Sequence, residues 1–223
     1  MVIGPALVAA LTAASPAAEE RALDAPAEVV LCLLGRDQDA TGMRMVTRRW
    51  KRSFVVVLLT RDEQDGALGL FRAGDAPWEE RFVATTGRLT VPGDEAIGEL
   101  DLAPYHVSSN ETAIGLRFHR QRGYAGGSGE ATVVRLYLRQ AQRLVPILST
   151  AVEFNCLLAG AWNDDGTRDH QEVTGASAIV VSRKTTNGHF DLLQDGQVFR
   201  WNGTRYVANR DLWSGCEVTE ASE

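Results

Sequence analysis

The hydrophobic pattern of this chain is a series of short β-like runs broken by tight turns, and it is clearest over residues 175–208. Residues 178–182 are rich in β-formers, and the Asn187-Gly188 pair that follows suits the positive φ of a hairpin turn. Phe190 and Leu192 come next, then Asp195-Gly196, then Val198 and Phe199. The run Phe199-Arg200-Trp201 passes through Asn202-Gly203 into Arg205-Tyr206-Val207. Turns at this spacing predict an antiparallel meander. Side-chain alternation puts Phe199 and Trp201 on its buried face and Arg200 in solvent, with a two-residue primed turn at Asn202-Gly203.

The rest of the chain follows the same style. FVVVLLT at 54–60 is a near-continuous apolar run, as expected of a strand buried on both faces. Asp65-Gly66 turns the chain into ALGLF at 67–71, Ala73-Gly74-Asp75 turns it again, and 78–84 reads as a third strand. Short strands are expected at 89–91 and 97–102, and Pro104-Tyr105-His106 opens a new segment. Residues 113–120 and 131–139 alternate apolar and polar positions on either side of a glycine-rich loop at 123–129. Two further β-like stretches, 143–149 and 151–158, precede a polar loop at 163–170. Helix is expected only near the start, at 27–34, where Gly35 ends the run AEVVLCLL, the alternative for that run being a buried strand. Arg44, Arg48, Arg49, Lys51 and Arg52 lie among Met43, Met45 and Trp50. They read as a solvated edge strand protected by charge, the alternative being a grip on a phosphate or an acidic partner.

Three segments, about 54–84, 113–149 and 177–208, share one plan. Each has an apolar strand, a polar turn, a Leu/Phe-x-Leu strand, a short turn and a strand ending in an aromatic or aliphatic pair. Repetition of one supersecondary unit points towards propellers and related arrays, although a closed propeller ordinarily has four or more blades. The expected fold class is mostly β: antiparallel meanders forming a sandwich or partial propeller, with a short N-terminal helix, in one domain over 19–223. The plan, with its Phe-Arg-Trp-Asn-Gly-Thr-Arg-Tyr hairpin at 199–206, resembles FG-GAP-type β-propeller units. It also resembles the C-terminal ends of uncharacterised secreted bacterial proteins. The resemblance implies architecture, not activity. Calcium-binding FG-GAP units hold the ion in a loop of regularly spaced Asp and Asn. Here Trp162-Asn163-Asp164-Asp165-Gly166 has no acid at the first position, and the stretch 61–66 begins with Arg61.

Composition narrows the class without naming a chemistry. The 223 residues are enough to bury a proper core, and a net charge of −6 argues against unspecific affinity for nucleic acid or an anionic membrane. Residues 1–18 carry no charged side chain. Their apolar run at 2–11 is too short to span a bilayer and is followed by small residues, the outline of a signal peptide that lacks its basic n-region. The competing reading is an apolar helix of the mature protein. Export predicts cleavage near Ala14 or Ala18 and a periplasmic or extracellular protein that does not span the membrane once the leader is removed. An oxidising compartment would pair Cys156 with Cys216 and leave Cys32 over, the alternative being three buried thiols.

No activated nucleophile is legible. Ser128, in Gly-Gly-Ser-Gly-Glu, misses the nucleophile-elbow spacing, and His106, His119, His170 and His189 are scattered singly. The glycine-rich loop has neither a Lys-Ser/Thr pair nor a following helix, which excludes a Walker loop. Its Tyr124 and Ser128 are instead candidate contact residues, since binding groups gather on loops. Asn163, Asp164, Asp165 and Asp169, around Gly166, bring four oxygen-bearing side chains into one loop. Calcium takes six to eight oxygens, so Asn163, Asp165 and Asp169 are the metal candidates. A solvated loop with turn-capping Asx residues is favoured over a metal site, and Asp164, Asp165, Asp169 and His170 then become polar binding candidates. Trp78, Trp201 and Tyr206 are expected in the core rather than on a ligand platform. No cofactor is expected. The reading is an exported binding protein, an inhibitor or immunity-type partner of another secreted or envelope protein. The alternatives are an envelope hydrolase of polysaccharide or peptide with dispersed acids and histidines, and a structural envelope module.

Overall fold

The computed structural model describes residues 42–124 and 127–208 together with Val29, Cys32 and Leu33. Residues 1–18, the expected leader, and Cys216 lie outside the described residues. The chain is mostly β. Its strands are β1 (Arg44–Trp50), β2 (Phe54–Asp62), β3 (Asp65–Arg72), β4 (Phe82–Thr85), β5 (Leu89–Thr90), β6 (Glu95–His106), β7 (Thr112–Tyr124), β8 (Gly127–Gln140), β9 (Arg143–Trp162) and β10 (Arg168–Ala176). After them come β11 (Val180–Thr186), β12 (His189–Gln194), β13 (Gln197–Trp201) and β14 (Tyr206–Val207). The first ten form one sheet, in the order β1-β2-β3-β4-β9-β8-β7-β6, with β10 paired to β9 and β5 to β3. Among the described strands every pairing is antiparallel except β4 with β9. The sheet curls into a nearly closed barrel: the β2–β3 turn returns to the β5–β6 side, where Glu63 O accepts from Ile97 N–H and Gln64 O from Val91 N–H. The last four strands make a separate sheet that packs on the outside of the first.

Alternation sorts the side chains into three clusters. Val56, Leu58, Leu68, Leu70, Ile114, Leu116, Phe118 and Val133 fill the barrel interior. The opposite face of β2 and β3, with Val55, Val57, Leu59, Ala67 and Phe71, meets Val29 and Leu33. Those two are helical and four positions apart, hence on one helix face, with Cys32 exposed beside them. This second cover explains why β2 is apolar without alternation. Edge strand β1 has only β2 as a neighbour and carries the basic cluster. In the third cluster Leu136, Leu138, Ile147 and Leu148 pack against Leu192, Phe199, Trp201 and Tyr206 of the small sheet.

The C-terminal meander follows the expected course with one exception. Asn187-Gly188 and Asp195-Gly196 both make two-residue turns with positive φ (49° and 82°, 45° and 74°). Phe199 and Trp201 are buried and Arg200 is exposed. The third turn differs: Trp201 pairs with Tyr206, so the loop has four residues, and only Gly203 has positive φ. The Asn202 carboxamide oxygen organises it by accepting from the backbone N–H groups of Thr204 (3.0 Å) and Arg205 (2.9 Å).

Other boundaries move for local reasons. Residues 78–81 are a helical turn rather than strand, since Pro77 suits a helix start and Glu79 and Glu80 favour its positive end. The first hairpin turns at Glu63-Gln64, held by Asp62 Oδ1, not at Asp65-Gly66. Gly66 is instead a close-approach site, where a Cβ would lie 2.2 Å from Leu59 O. Pro104 to His106 continue β6, whose edge position tolerates proline. The glycine-rich loop is largely ladder, with Arg122 opposite Gly129 and Gly123 opposite Ser128.

The two β-like stretches at 143–158 are one strand, β9, with two bulges. Leu136 pairs with Leu148 but Tyr137 with Pro146, which leaves Ile147 as the extra residue and places Pro146 beside the bulge. Thr132 pairs with Glu153 but Val133 with Ala151, so Val152 is extra. Each bulge reverses the phase of alternation.

The barrel interior also holds charge. Glu95 is nearly inaccessible and is shared by the guanidinium groups of Arg120 and Arg135, the latter 4.1 Å above the Phe118 ring. Arg120 Nε donates to Glu95 Oε1 at 3.0 Å. Removing one partner of a buried ion pair leaves uncompensated charge, usually at a cost of about 3–5 kcal/mol. Both arginines retain 20% exposure, so Glu95→Gln is expected to destabilise by about 3 kcal/mol. Thermal or urea denaturation of that variant checks this value.

Three buried phenols give the fold an alkaline limit. Burial pushes Tyr137 up to about 12 against a partly opposing Arg135. Burial and the Asp101 carboxylate raise Tyr105, and burial with Asp191 and Glu111 raises Tyr206. A phenol held neutral in the folded state stabilises fully below its unfolded value of about 10, and loses that contribution as pH climbs towards the folded value. Tyr137 alone accounts for about 3 kcal/mol on this scale. Stability should therefore fall between about pH 10 and 12, and less steeply in Tyr137→Phe. Denaturant titrations at stepped pH, with phenolate absorbance followed in parallel, test both expectations.

Candidate interaction surface

The small sheet covers only part of the outer face of the large one. Beyond it the face of β7–β10 lies open, and its residues fall into rows fixed by register. One row runs His119, Thr132, Glu153, Ala176; the next runs Gln121, Glu130, Asn155, Thr174. A third holds Gly123, Ser128, Leu157 and Glu172. The bulge at Val152 creates this face. Thr150 points towards the small sheet, donating to Gln194 Oε1 at 2.8 Å, and the phase change then turns Glu153, Asn155 and Leu157 outward on the same side.

The first two rows line a cleft of about 690 Å³. Its floor is shaped by small residues. Gly175 runs between Thr174 and Ala176 with only backbone towards the cleft, and on the barrel-interior side a Cβ there would come within 2.4 Å of the Phe154 ring. On the far side His119 lies across Gly98 of β6, whose Cβ would sit 2.9 Å from Nε2. Glu130 and Glu153 are diagonal neighbours, about 7–8 Å apart by strand geometry. Both are exposed, and among the described residues neither makes an ion pair. Glu172 accepts from Asn155 Nδ2 at 3.0 Å, bringing a third carboxylate beside them. Such a group of solvated carboxylates attracts a cation.

The residues singled out from sequence are distributed around this face. Ser128 and His170 lie on it, His170 opposite Ala159. Tyr124 pairs with Gly127 at the β7–β8 hairpin end. Asp164 and Asp165 sit in the β9–β10 turn, beyond the cleft. There the oxygens bond one another's neighbours. Asn163 Nδ2 donates to Asp169 Oδ1 and Thr167 Oγ1, both at 3.0 Å, and Asp165 Oδ1 accepts from Thr167 N–H at 2.9 Å. The Thr167 hydroxyl also donates to Asp165 Oδ1 at 2.6 Å, and the two bonds from Thr167, the hydroxyl's first, hold the Asp165 carboxyl below its ordinary value. The turn is thus built as an Asx-stabilised hairpin. Trp162, at its base, is 69% exposed, with the Arg168 guanidinium 5.3 Å from its ring. Trp201 and Tyr206 are buried in the core, while Trp78 is half-buried edge-on to Phe71.

Sequence reasoning did not find His119, Glu130, Glu153, Asn155 or Glu172. The spacing of Glu130 to Thr132 and of Glu153 to Asn155 was the available signal, and the Val152 bulge concealed that the two pairs share a face.

Asp165→Ala should loosen the β9–β10 turn by about 1 kcal/mol, the usual net worth of such hydrogen bonds. Faster amide exchange confined to residues 160–170, with the global melting temperature nearly unchanged, is the expected result. Comparison of the chain with family models, with curated proteins and with solved structures finds no match.

Proposed function

We propose that this is an exported binding protein, an inhibitor or immunity-type partner of another secreted or envelope protein, and that it grips its partner on the open face of β7–β10. The observation that carries the reading is the exposed Glu130–Glu153 pair, which makes no ion pair among the described residues, in a cleft on a face otherwise closed by the small sheet. Leu157 (40% exposed) and Trp162 continue the surface with apolar area, the mixture from which protein interfaces are made. Export is supported by the uncharged, small-residue composition of 1–18. In an oxidising compartment Cys156, fully buried in β9, pairs with Cys216 and ties the C-terminal tail to the barrel. Among the described residues no helix is long and apolar enough to cross a membrane.

The test uses the full mature chain and its Glu130→Lys/Glu153→Lys variant as baits for the envelope fraction of the native host. The expected outcome is a protein captured stoichiometrically by the natural chain and reduced at least about ten-fold by the variant, equivalent to 1.4 kcal/mol. Identical capture by both baits would remove this face from the interaction.

A further inference from the structure

We infer that the free edge of β10 takes up an extended, arginine- or lysine-bearing segment of the partner by strand addition. The inference rests on the binding reading above and gives the partner's contact a chemistry. Among the described strands β10 pairs with β9 alone, and no described strand takes up the backbone N–H and C=O groups of its other edge. Residues 169–172 are all exposed. A row of unpaired backbone groups is the template that β-augmentation uses, with side-chain pockets at alternate positions supplying specificity.

The pockets here are acidic. An added strand would lie about 4.8 Å beyond β10, and thus about 10 Å from β9. Its residue beside Ala176 faces a small side chain, and past it, in the same row, stands Glu153. A long cationic side chain can cross that gap over Ala176, whereas a short one cannot. Its residue beside Glu172 meets that carboxylate directly. Positions 172 and 176 share a face because strand side chains repeat every two residues. The occupant therefore carries two cations four residues apart, with intervening same-face positions small enough to pass over Thr174. An acidic or neutral segment would leave Glu130, Glu153 and Glu172 uncompensated. The β1 edge, with Arg44, Arg48 and Arg49, would repel the same segment.

The probe is a fluorescent ten-residue peptide of alternating valine and threonine with arginines four apart, titrated into the full chain by anisotropy. Two comparison peptides accompany it, one with glutamates for the arginines and one N-methylated at alternate backbone positions with its charge retained. The expected result is saturable binding of the parent peptide only. N-methylation and glutamate replacement should each weaken it at least ten-fold, and Glu153→Gln/Glu172→Gln should do the same while far-ultraviolet circular dichroism stays unchanged. Equal affinity for the N-methylated peptide would overturn strand addition while leaving charge-guided binding at the cleft intact. Absence of saturable parent binding would also overturn it, and envelope capture by the natural chain but not the Glu130→Lys/Glu153→Lys variant would show that the broader reading survives.

Discussion

The constraint on which the rest of this structure depends is that β9 must serve three neighbours with one backbone. Its first residues meet β4, its length pairs with β8, and its second half carries β10. A regular strand would send every second side chain to one face for its whole length. The bulges at Ile147 and Val152 break that rule twice. The first accommodates Pro146 within a central strand, where a regular ladder would lose a hydrogen bond. The second ends the part of the face that must be apolar for the small sheet and starts the part that can be polar.

The same strand sets where the two sheets join. Gln194 of the small sheet, almost fully buried, donates from Nε2 to Ala151 O at 2.8 Å and to Ser177 O at 3.0 Å. Thr150 completes the contact. These polar groups sit directly before the Val152 bulge, so register is fixed by hydrogen bonds where apolar packing gives way to solvent. Placing a satisfied amide at that boundary gives direction to an otherwise non-directional hydrophobic contact. The Glu95–Arg120–Arg135 group does the same inside the barrel.

The fold was legible in the sequence where turn chemistry and alternation agree. Asn187-Gly188, Asp195-Gly196 and the Phe199/Trp201 face could be read directly, because φ preference and period two are local properties. The run at 54–60 was legible as doubly buried, although only the fold supplies its second cover. The Asp62 cap and the Asn202 loop were missed because side-chain bonds reshaped the turns, and the turn at 78–81 because Pro77 and the acids after it favour a helix start. Topology was not legible, since nothing local marks the parallel contact of β4 with β9. The three similar segments did not become three equivalent units: two belong to the curled sheet and one stands apart. The candidate surface was legible only at its rim, through Ser128 and His170. Its centre depends on register across three strands and on a bulge.

The parallel contact of β4 with β9, at Thr85 and Arg143, has a kinetic consequence. On either side of it the chain winds into meanders whose partners are neighbours in sequence, contacts that form with little loop-closure entropy. The join between them is the reverse: a single parallel pairing that must be found across the whole β5–β8 excursion. Contacts of that separation slow folding in proportion to the order they demand. Topology therefore predicts two quickly wound halves whose meeting is the slow step, with β4 and the start of β9 as edges open to the wrong neighbour until then.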